Sequence, residues 1–281
     1  MTIGPSLDLV RMIVRRALSE DIGHGDVTTQ AVVPTATRCA GVILARMPGV
    51  AAGIEVARIA FDEADASVTF NAGTQDGGGL AAGDVIACLA GPAASILTAE
   101  RTALNFLQRM SGIATLTRRY VDAVAGLEVR ILDTRKTAPG LRVLDKWAVT
   151  LGGGSNHRFG LYDGILIKDN HLRIAGGVAA AVRAARSAAP HSLKIQVEVE
   201  TLGQVQQALD AGADALLLDN MGLADLRYAV EAVGGRALIE ASGGVTLATV
   251  REIAETGVNY ISVGALTHSP PALDIALEIS Q

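Results

Sequence analysis

Cysteine is scarce in this chain of 281 residues: Cys39 and Cys88 are the only two, and they form no metal-ligand spacing. Both sit in apolar, strand-like contexts. That excludes a disulfide framework or a cysteine zinc site, and it leaves free thiols in a reducing compartment as the expectation, with a single disulfide as the alternative. Long apolar runs are missing too, since none approaches the roughly 20 residues of a membrane span. There is no basic excess: 24 Lys and Arg stand against 29 Asp and Glu, and the net charge of −5 excludes a general nucleic-acid binder. Nor does the start of the sequence read as a signal peptide. Leu7, Val10, Val14 and Leu18 recur at helical spacing among Asp8, Arg11, Arg15 and Arg16, which marks an amphipathic helix. The expectation is a soluble, cytoplasmic protein with no membrane and no nucleic-acid partner. With 49% hydrophobic residues it can bury one large core or two unequal ones.

The first 110 or so residues read as mixed helix and strand: the opening helix, a strand at 41–46, a helix at 53–64, a strand at 84–89, and a long helical stretch at 93–125 that Gly112 is expected to divide. The remainder is more regular. Strand-like runs fall at 129–133, 164–168, 194–199, 215–219, 237–241 and 260–263, and amphipathic helices separate the last four. From Glu198 to Asp219 is 21 residues, from there to Ser242 is 23, and on to Gly264 is 22. That even cadence indicates consecutive βα units closing into a barrel, incomplete because only six strands are visible; a doubly wound open sheet is the alternative. The tail 270–281 reads as a helix that packs back on the first domain.

Polar residues collect at the strand ends. Asp133, Lys168, Glu198, Asp219, Ser242 and Gly264 each stand at or just past the C-terminal end of a strand, the functional rim of a βα barrel. One acid there is commonly a helix cap or the partner of a nearby cation; six consecutive polar or glycine ends are harder to explain so. Glu198 and Asp219 lie on successive strands and suit Mg²⁺ that also bridges phosphates. Glu200 and Glu240 point to the same rim, or to the opposite face if alternation is strict. Ser242-Gly243-Gly244 and Val263-Gly264-Ala265 leave backbone N–H groups open to an anion, as a phosphate site requires. Between residues 133 and 171, Arg135, Lys136, Arg142, Lys146, His157, Arg158, Lys168 and His171 surround a Gly triplet, which reads as a preorganised pocket for several carboxylate or phosphate groups. His157 reads as a donor to an anion. A desolvated Lys168 forming a Schiff base, as in a class I aldolase, is the rival reading.

The motifs resemble the quinolinate phosphoribosyltransferase family. The blocks are EDIGHGDVTT at 20–29, LTAERTALNFLQRMSGIAT at 97–115, DTRKTAPGLR at 133–142, GGGSNHRFGLYD at 152–163, LIKDNH at 166–171, VEVE at 197–200, LLLDNM at 216–221, EASGGV at 240–245 and VGALTHS at 263–269. They run in order over nearly the whole chain. The resemblance implies an N-terminal α/β sandwich domain over 1–112, joined by the tail 270–281, and an incomplete six-stranded α/β barrel over 113–269 that carries the active site. It implies phosphoribosyl transfer from phosphoribosyl pyrophosphate to quinolinate with decarboxylation, dependent on Mg²⁺. Lys136, Lys168, Glu198 and Asp219 would be catalytic. Thr134, Arg135, His157, Arg158 and, across a dimer interface, Arg101 would join Lys136 and Lys168 around the quinolinate carboxylates and nearby phosphates. Glu198 and Asp219 would face the ribose and Mg–pyrophosphate. Ser242, Gly243, Gly244, Val263, Gly264 and Ala265 would cradle the 5-phosphate near His268. A homodimer is implied, with a hexamer as the alternative. Two other readings remain: a paralogue of this fold linked to molybdenum transport, which should have lost the DTRKT, NHR and KDNH blocks, and an anion-binding protein without turnover.

Overall fold

The computed structural model describes residues 4–280. In chain order its first elements are α1 (Leu7–Ile22), α2 (Val27–Val32), β1 (Arg38–Ala45), β2 (Gly49–Val50), α3 (Ile54–Ala64), β3 (Thr69–Ala72), β4 (Gly79–Leu80), β5 (Val85–Pro92) and α4 (Ala93–Ala123). Then follow β6 (Arg130–Leu132), α5 (Arg142–Leu151), β7 (Ile165–Ile167), α6 (Asp169–Ala175), α7 (Val178–Ala188), β8 (Ile195–Val199), α8 (Leu202–Asp210), β9 (Ala215–Asp219), α9 (Leu223–Val233), β10 (Leu238–Ser242), α10 (Val250–Ala254), β11 (Tyr260–Ser262), α11 (Ala265–His268) and β12 (Ile275–Ser280). They form two compact units that interleave along the chain. One takes the segment ending at Arg118, then Thr137–Gly153, then the segment from Leu266 on; the other takes Arg119–Lys136 and Gly154–Ala265.

The first unit is built on an antiparallel sheet of order β12-β1-β5-β3. Helix α3 buries Ile54, Val56, Ala57, Ile59, Ala60 and Phe61, and the Phe61 ring lies 6.0 Å from that of Phe70 on β3. The amphipathic α1 lies alongside α3, where Arg11 and Arg15 both reach Glu63 at 2.5 Å. Two expectations are corrected here. The tail is a strand, β12, paired along β1 from Ala45↔Ile275 to Ala40↔Ser280, because its apolar residues find an open sheet edge to complete. Gly112 does not divide α4, which runs unbroken. A Cβ at Gly112 would stand 2.1 Å from the Pro271 carbonyl oxygen, so its lack of a side chain lets the tail backbone approach the helix.

The second unit holds six parallel strands in the order β6-β11-β10-β9-β8-β7, the incomplete barrel the cadence implied. Its two edge strands are β6 and β7. Beside β6 a single parallel bridge, Leu132↔Ser155, adds a short seventh position. On β8 the residues Ile195, Val197 and Val199 are buried, and Gln196 and Glu198 take the opposite face of the pleat. A cavity of about 460 Å³ runs inside this sheet from the N-terminal strand ends, lined among others by Leu132, Gln196, Leu238, Glu240 and Tyr260. By the same alternation Glu198 and Ser242, two residues beyond Gln196 and Glu240, face inward at the opposite, C-terminal rim.

Candidate active site

At that rim Asp219 and Ser242 are register partners on β9 and β10, while Glu198 sits across from Leu217 on the neighbouring β8. Lys168, the first residue past β7, pairs its Nζ with Glu198 Oε2. Its side chain is 43% exposed and carries a carboxylate partner, which is the reverse of a desolvated nucleophilic amine and removes the basis for the aldolase reading. The backbone N–H of Lys168 donates to His171 Nδ1 at 2.9 Å, so His171 serves the start of α6.

The segment after the Gly triplet delivers His157 and Arg158, which line the cavity inside the sheet. Asp133, wholly buried at the end of β6, accepts the His157 backbone N–H at 2.9 Å and the Asn156 side-chain amide at 2.5 Å, fixing the chain where His157 and Arg158 begin. Arg158 is anchored by its donation to the Gly164 carbonyl at 2.9 Å. Burial, and then the neighbouring Arg135 cation, hold its guanidinium below the usual arginine range, with Asp163 opposing. On the same segment as Arg135, the Thr134 hydroxyl accepts the Lys136 N–H at 3.1 Å.

Both ring nitrogens of His157 face protein groups. Its Nδ1 accepts the Arg158 N–H at 2.7 Å and its Nε2 lies 3.3 Å from Glu240 Oε2, so donating to a bound anion would require giving up Glu240. Glu240 is 3% exposed, one inward step below Ser242, and its Oε2 also accepts from Gln196 Nε2 at 2.8 Å.

The small-residue side depends on Asn220, which sequence reasoning passed over. It is the one non-glycine residue with positive φ (54°) among those described, a conformation asparagine tolerates. Its N–H donates to the Ser242 carbonyl at 2.8 Å and its side-chain amide donates to Asp219 Oδ2 at 2.8 Å. A Cβ on Gly243 would stand 2.2 Å from Asn220 Oδ1, so a side chain there must displace the Asn220 amide, and its φ of 91° favours glycine besides. On the next strand Val263 donates its N–H to the Leu132 carbonyl at 2.9 Å, and Gly264 and Ala265 follow it.

The eight cations of 133–171 are divided between the two units. Arg135, Lys136, His157, Arg158 and Lys168 belong to the barrel unit, whereas Arg142 and Lys146 ride on α5 in the other unit. There the buried Asp145 ties α5 to α4 through Arg109, with paired contacts of 2.8 and 2.7 Å. Lys146 is wholly buried and Arg142 donates to the Thr137 hydroxyl at 3.1 Å. Arg101, exposed on α4, and His268, at the end of α11 beside the Ser269 hydroxyl, also belong to that first unit. The signals missed were Asn220, Asn156, Gln196 and the inward step of Glu240. Only the last was legible, through strict strand alternation.

A parallel α/β barrel whose C-terminal rim joins clustered cations, an acid pair and a glycine turn defines an enzyme for a multiply anionic substrate. The profiles of the quinolinate phosphoribosyl transferase N-terminal and C-terminal domains match residues 26–111 and 113–278. The chain belongs to this family. It is 46% identical, over 97% of its length and 98% of the relative's, to the nicotinate-nucleotide pyrophosphorylase [carboxylating] of Mycobacterium leprae (strain TN). To the probable nicotinate-nucleotide pyrophosphorylase [carboxylating] of Bacillus subtilis (strain 168) it is 44% identical, over 96% and 93%. The crystal structure of NadC from Streptococcus pyogenes superimposes with a TM-score of 0.95 at 38% identity, covering 99% of each chain.

Proposed function

We infer that this chain transfers the phosphoribosyl group of phosphoribosyl pyrophosphate to quinolinate with loss of CO₂, yielding nicotinate mononucleotide and pyrophosphate for NAD biosynthesis. The observation that carries the assignment is the rim, where Lys168 pairs with Glu198 and Asp219 stands in register with Ser242, on a chain matched along both domains by the family.

In this reading Arg135, Lys136, Arg158 and Lys168 hold the two carboxylates and adjoining phosphate oxygens, with Thr134 and His157 ordering the segments that present them. Ser242, Gly243, Gly244, Val263, Gly264 and Ala265 receive the 5-phosphate, near His268. Glu198 and Asp219 address the ribose hydroxyls. The same two carboxylates suit a Mg²⁺ that arrives with pyrophosphate and is held chiefly by phosphate oxygens. Departure of pyrophosphate leaves positive charge on the ribose ring, which the two carboxylates stabilise. Attack by the ring nitrogen makes the pyridine cationic. When the adjacent carboxylate leaves as CO₂ the electron pair of the broken bond stays on the ring carbon, stabilised by the neighbouring cationic nitrogen, and a proton then bonds to that pair. Alignment of the two substrates supplies much of the rate. The enzyme acts as a homodimer, or as a hexamer built of three such dimers, with Arg101 entering the partner's site. Its free Cys39 and Cys88 accord with a cytoplasmic setting.

The test is formation of nicotinate mononucleotide and CO₂ from quinolinate, phosphoribosyl pyrophosphate and Mg²⁺, with nicotinate as control acceptor. Turnover with quinolinate alone is expected, and Arg135→Ala should abolish it in a folded protein. A folded wild type that binds phosphoribosyl pyrophosphate without turning over quinolinate would point to a paralogue with another acceptor or to a binding protein.

A further inference from the structure

We propose that Glu240 is a positioning residue of the quinolinate pocket: from inside the barrel it fixes the ring of His157, and through it the backbone that presents Arg158. The inference rests on the reading of Arg158 as a quinolinate-binding group.

The ring of His157 is defined at both nitrogens. Because Nδ1 accepts the Arg158 backbone N–H at 2.7 Å, it carries no proton, and the ring proton belongs on Nε2, which faces Glu240 Oε2 at 3.3 Å. A single imidazole thus links the Arg158 backbone to the opposite wall of the barrel. The link needs an acceptor on that wall. The cavity of about 460 Å³ borders His157, Arg158 and Glu240 together, so an unrestrained ring has room to turn away from the Arg158 N–H.

The cost of Glu240 argues in the same direction. It is 3% exposed, and among the described residues its Oε1 has no donor in hydrogen-bonding geometry, while Oε2 takes both Gln196 and His157. Burial pushes the carboxyl's pKa up, but hydrogen bonding and charge from His157, then hydrogen bonding from Gln196 and Ser262, outweigh burial and hold it below the usual glutamate range. An apolar side chain would be the cheaper occupant of that wall on stability grounds alone. The carboxylate is explained if the fixed ring is what the site needs. Asp133, just past β6, secures the same segment through the His157 N–H and Asn156, so the segment 156–158 is held by two buried acids from different parts of the barrel.

Nitrogen–proton correlation spectra of the labelled full-length wild type should show His157 with a bare Nδ1 and a protonated Nε2. Glu240→Leu, which keeps the bulk and removes the acceptor, should mix the tautomers. It should also raise the KM for quinolinate on the order of tenfold, leaving that for phosphoribosyl pyrophosphate unchanged. Glu240→Gln, whose amide oxygen still accepts the Nε2–H, should restore most of that loss. A wild-type His157 protonated at Nδ1, or a folded Glu240→Leu protein with the wild-type KM for quinolinate, would overturn the proposal. If Glu240→Leu does not fold, the wild-type spectrum decides. Failure of the underlying site reading looks different: Arg158→Ala would then keep its quinolinate KM whatever Glu240 does.

Discussion

At the scale of single residues the glycine turn after β10 separates two neighbours that look alike in sequence. Gly243 has φ 91° and a would-be Cβ 2.2 Å from Asn220 Oδ1, whereas Gly244 has φ 59° and open space around it. Alanine at 244 meets only the left-handed backbone penalty of about 1–2 kcal/mol. Alanine at 243 meets a comparable strain and must also expel Asn220, whose amide holds Asp219 Oδ2 at 2.8 Å. Gly243→Ala should therefore weaken phosphoribosyl pyrophosphate binding far more than Gly244→Ala, as calorimetric titration of the two folded variants would read. Equal affinities would mean that Asn220 does not organise this corner. The two glycines and Asp219 stood out in the sequence because strand-end position marks them. Asn220 did not, since asparagine beside an acid reads as an ordinary turn former and its reach to Gly243 is a tertiary fact.

Helix α3 shows at the element scale how a distant residue completes a local structure. Its N-cap, Gly53, has φ 94° and no side chain to offer, and the Ile54 N–H is instead taken by Asp76 Oδ1 at 3.0 Å. Burial is the largest influence on that carboxyl and raises its pKa above the ordinary 3.8 despite the N–H groups of Ile54 and Gly53. A raised acid pKa means the fold favours the protonated form. The contribution is whole below the unfolded value and is lost as pH climbs through the folded one. Asp76→Asn keeps an acceptor for Ile54 but cannot ionise. Relative to wild type it should gain stability as pH rises from about 3 to about 7, in thermal melts across that range. Asp76→Ala should cost about 1 kcal/mol through the lost cap. A pH-independent gap between wild type and Asp76→Asn would contradict this account. Elements of this kind were readable where periodicity and length agreed, as in α3 or β9. The tail was legible and was misread: Leu273, Ile275, Leu277 and Ile279 alternate at the strand period of two, and the last three pair along the free edge of β1.

For the whole molecule, the even spacing of Glu198, Asp219, Ser242 and Gly264 made the barrel legible, because each βα unit repeats the same burial problem. The split of the 133–171 cations was not legible, since nothing local says that α5 joins the antiparallel-sheet unit through Asp145 and Arg109. That split matters for assembly. The proposed quinolinate cations Arg135, Lys136, Arg158 and Lys168 belong to the barrel unit, while Arg101 is exposed on α4 of the other, as a group that serves a partner's site would be. In the proposed two-fold dimer each site would take residues from two chains. Arg101→Ala and Lys168→Ala should each be inactive alone, for different reasons. In a mixed dimer the Arg101→Ala chain contributes an intact Lys168 and receives an intact Arg101 from its partner, and the second site carries both lesions. Random mixing of equal amounts makes about half of the dimers mixed, each with one whole site, so about a quarter of wild-type activity should return. Mixed dimers isolated with two different affinity tags should hold all of the recovered activity. Verified mixed dimers with no activity above the parents would show that each chain builds its site alone and would remove Arg101 from the shared pocket.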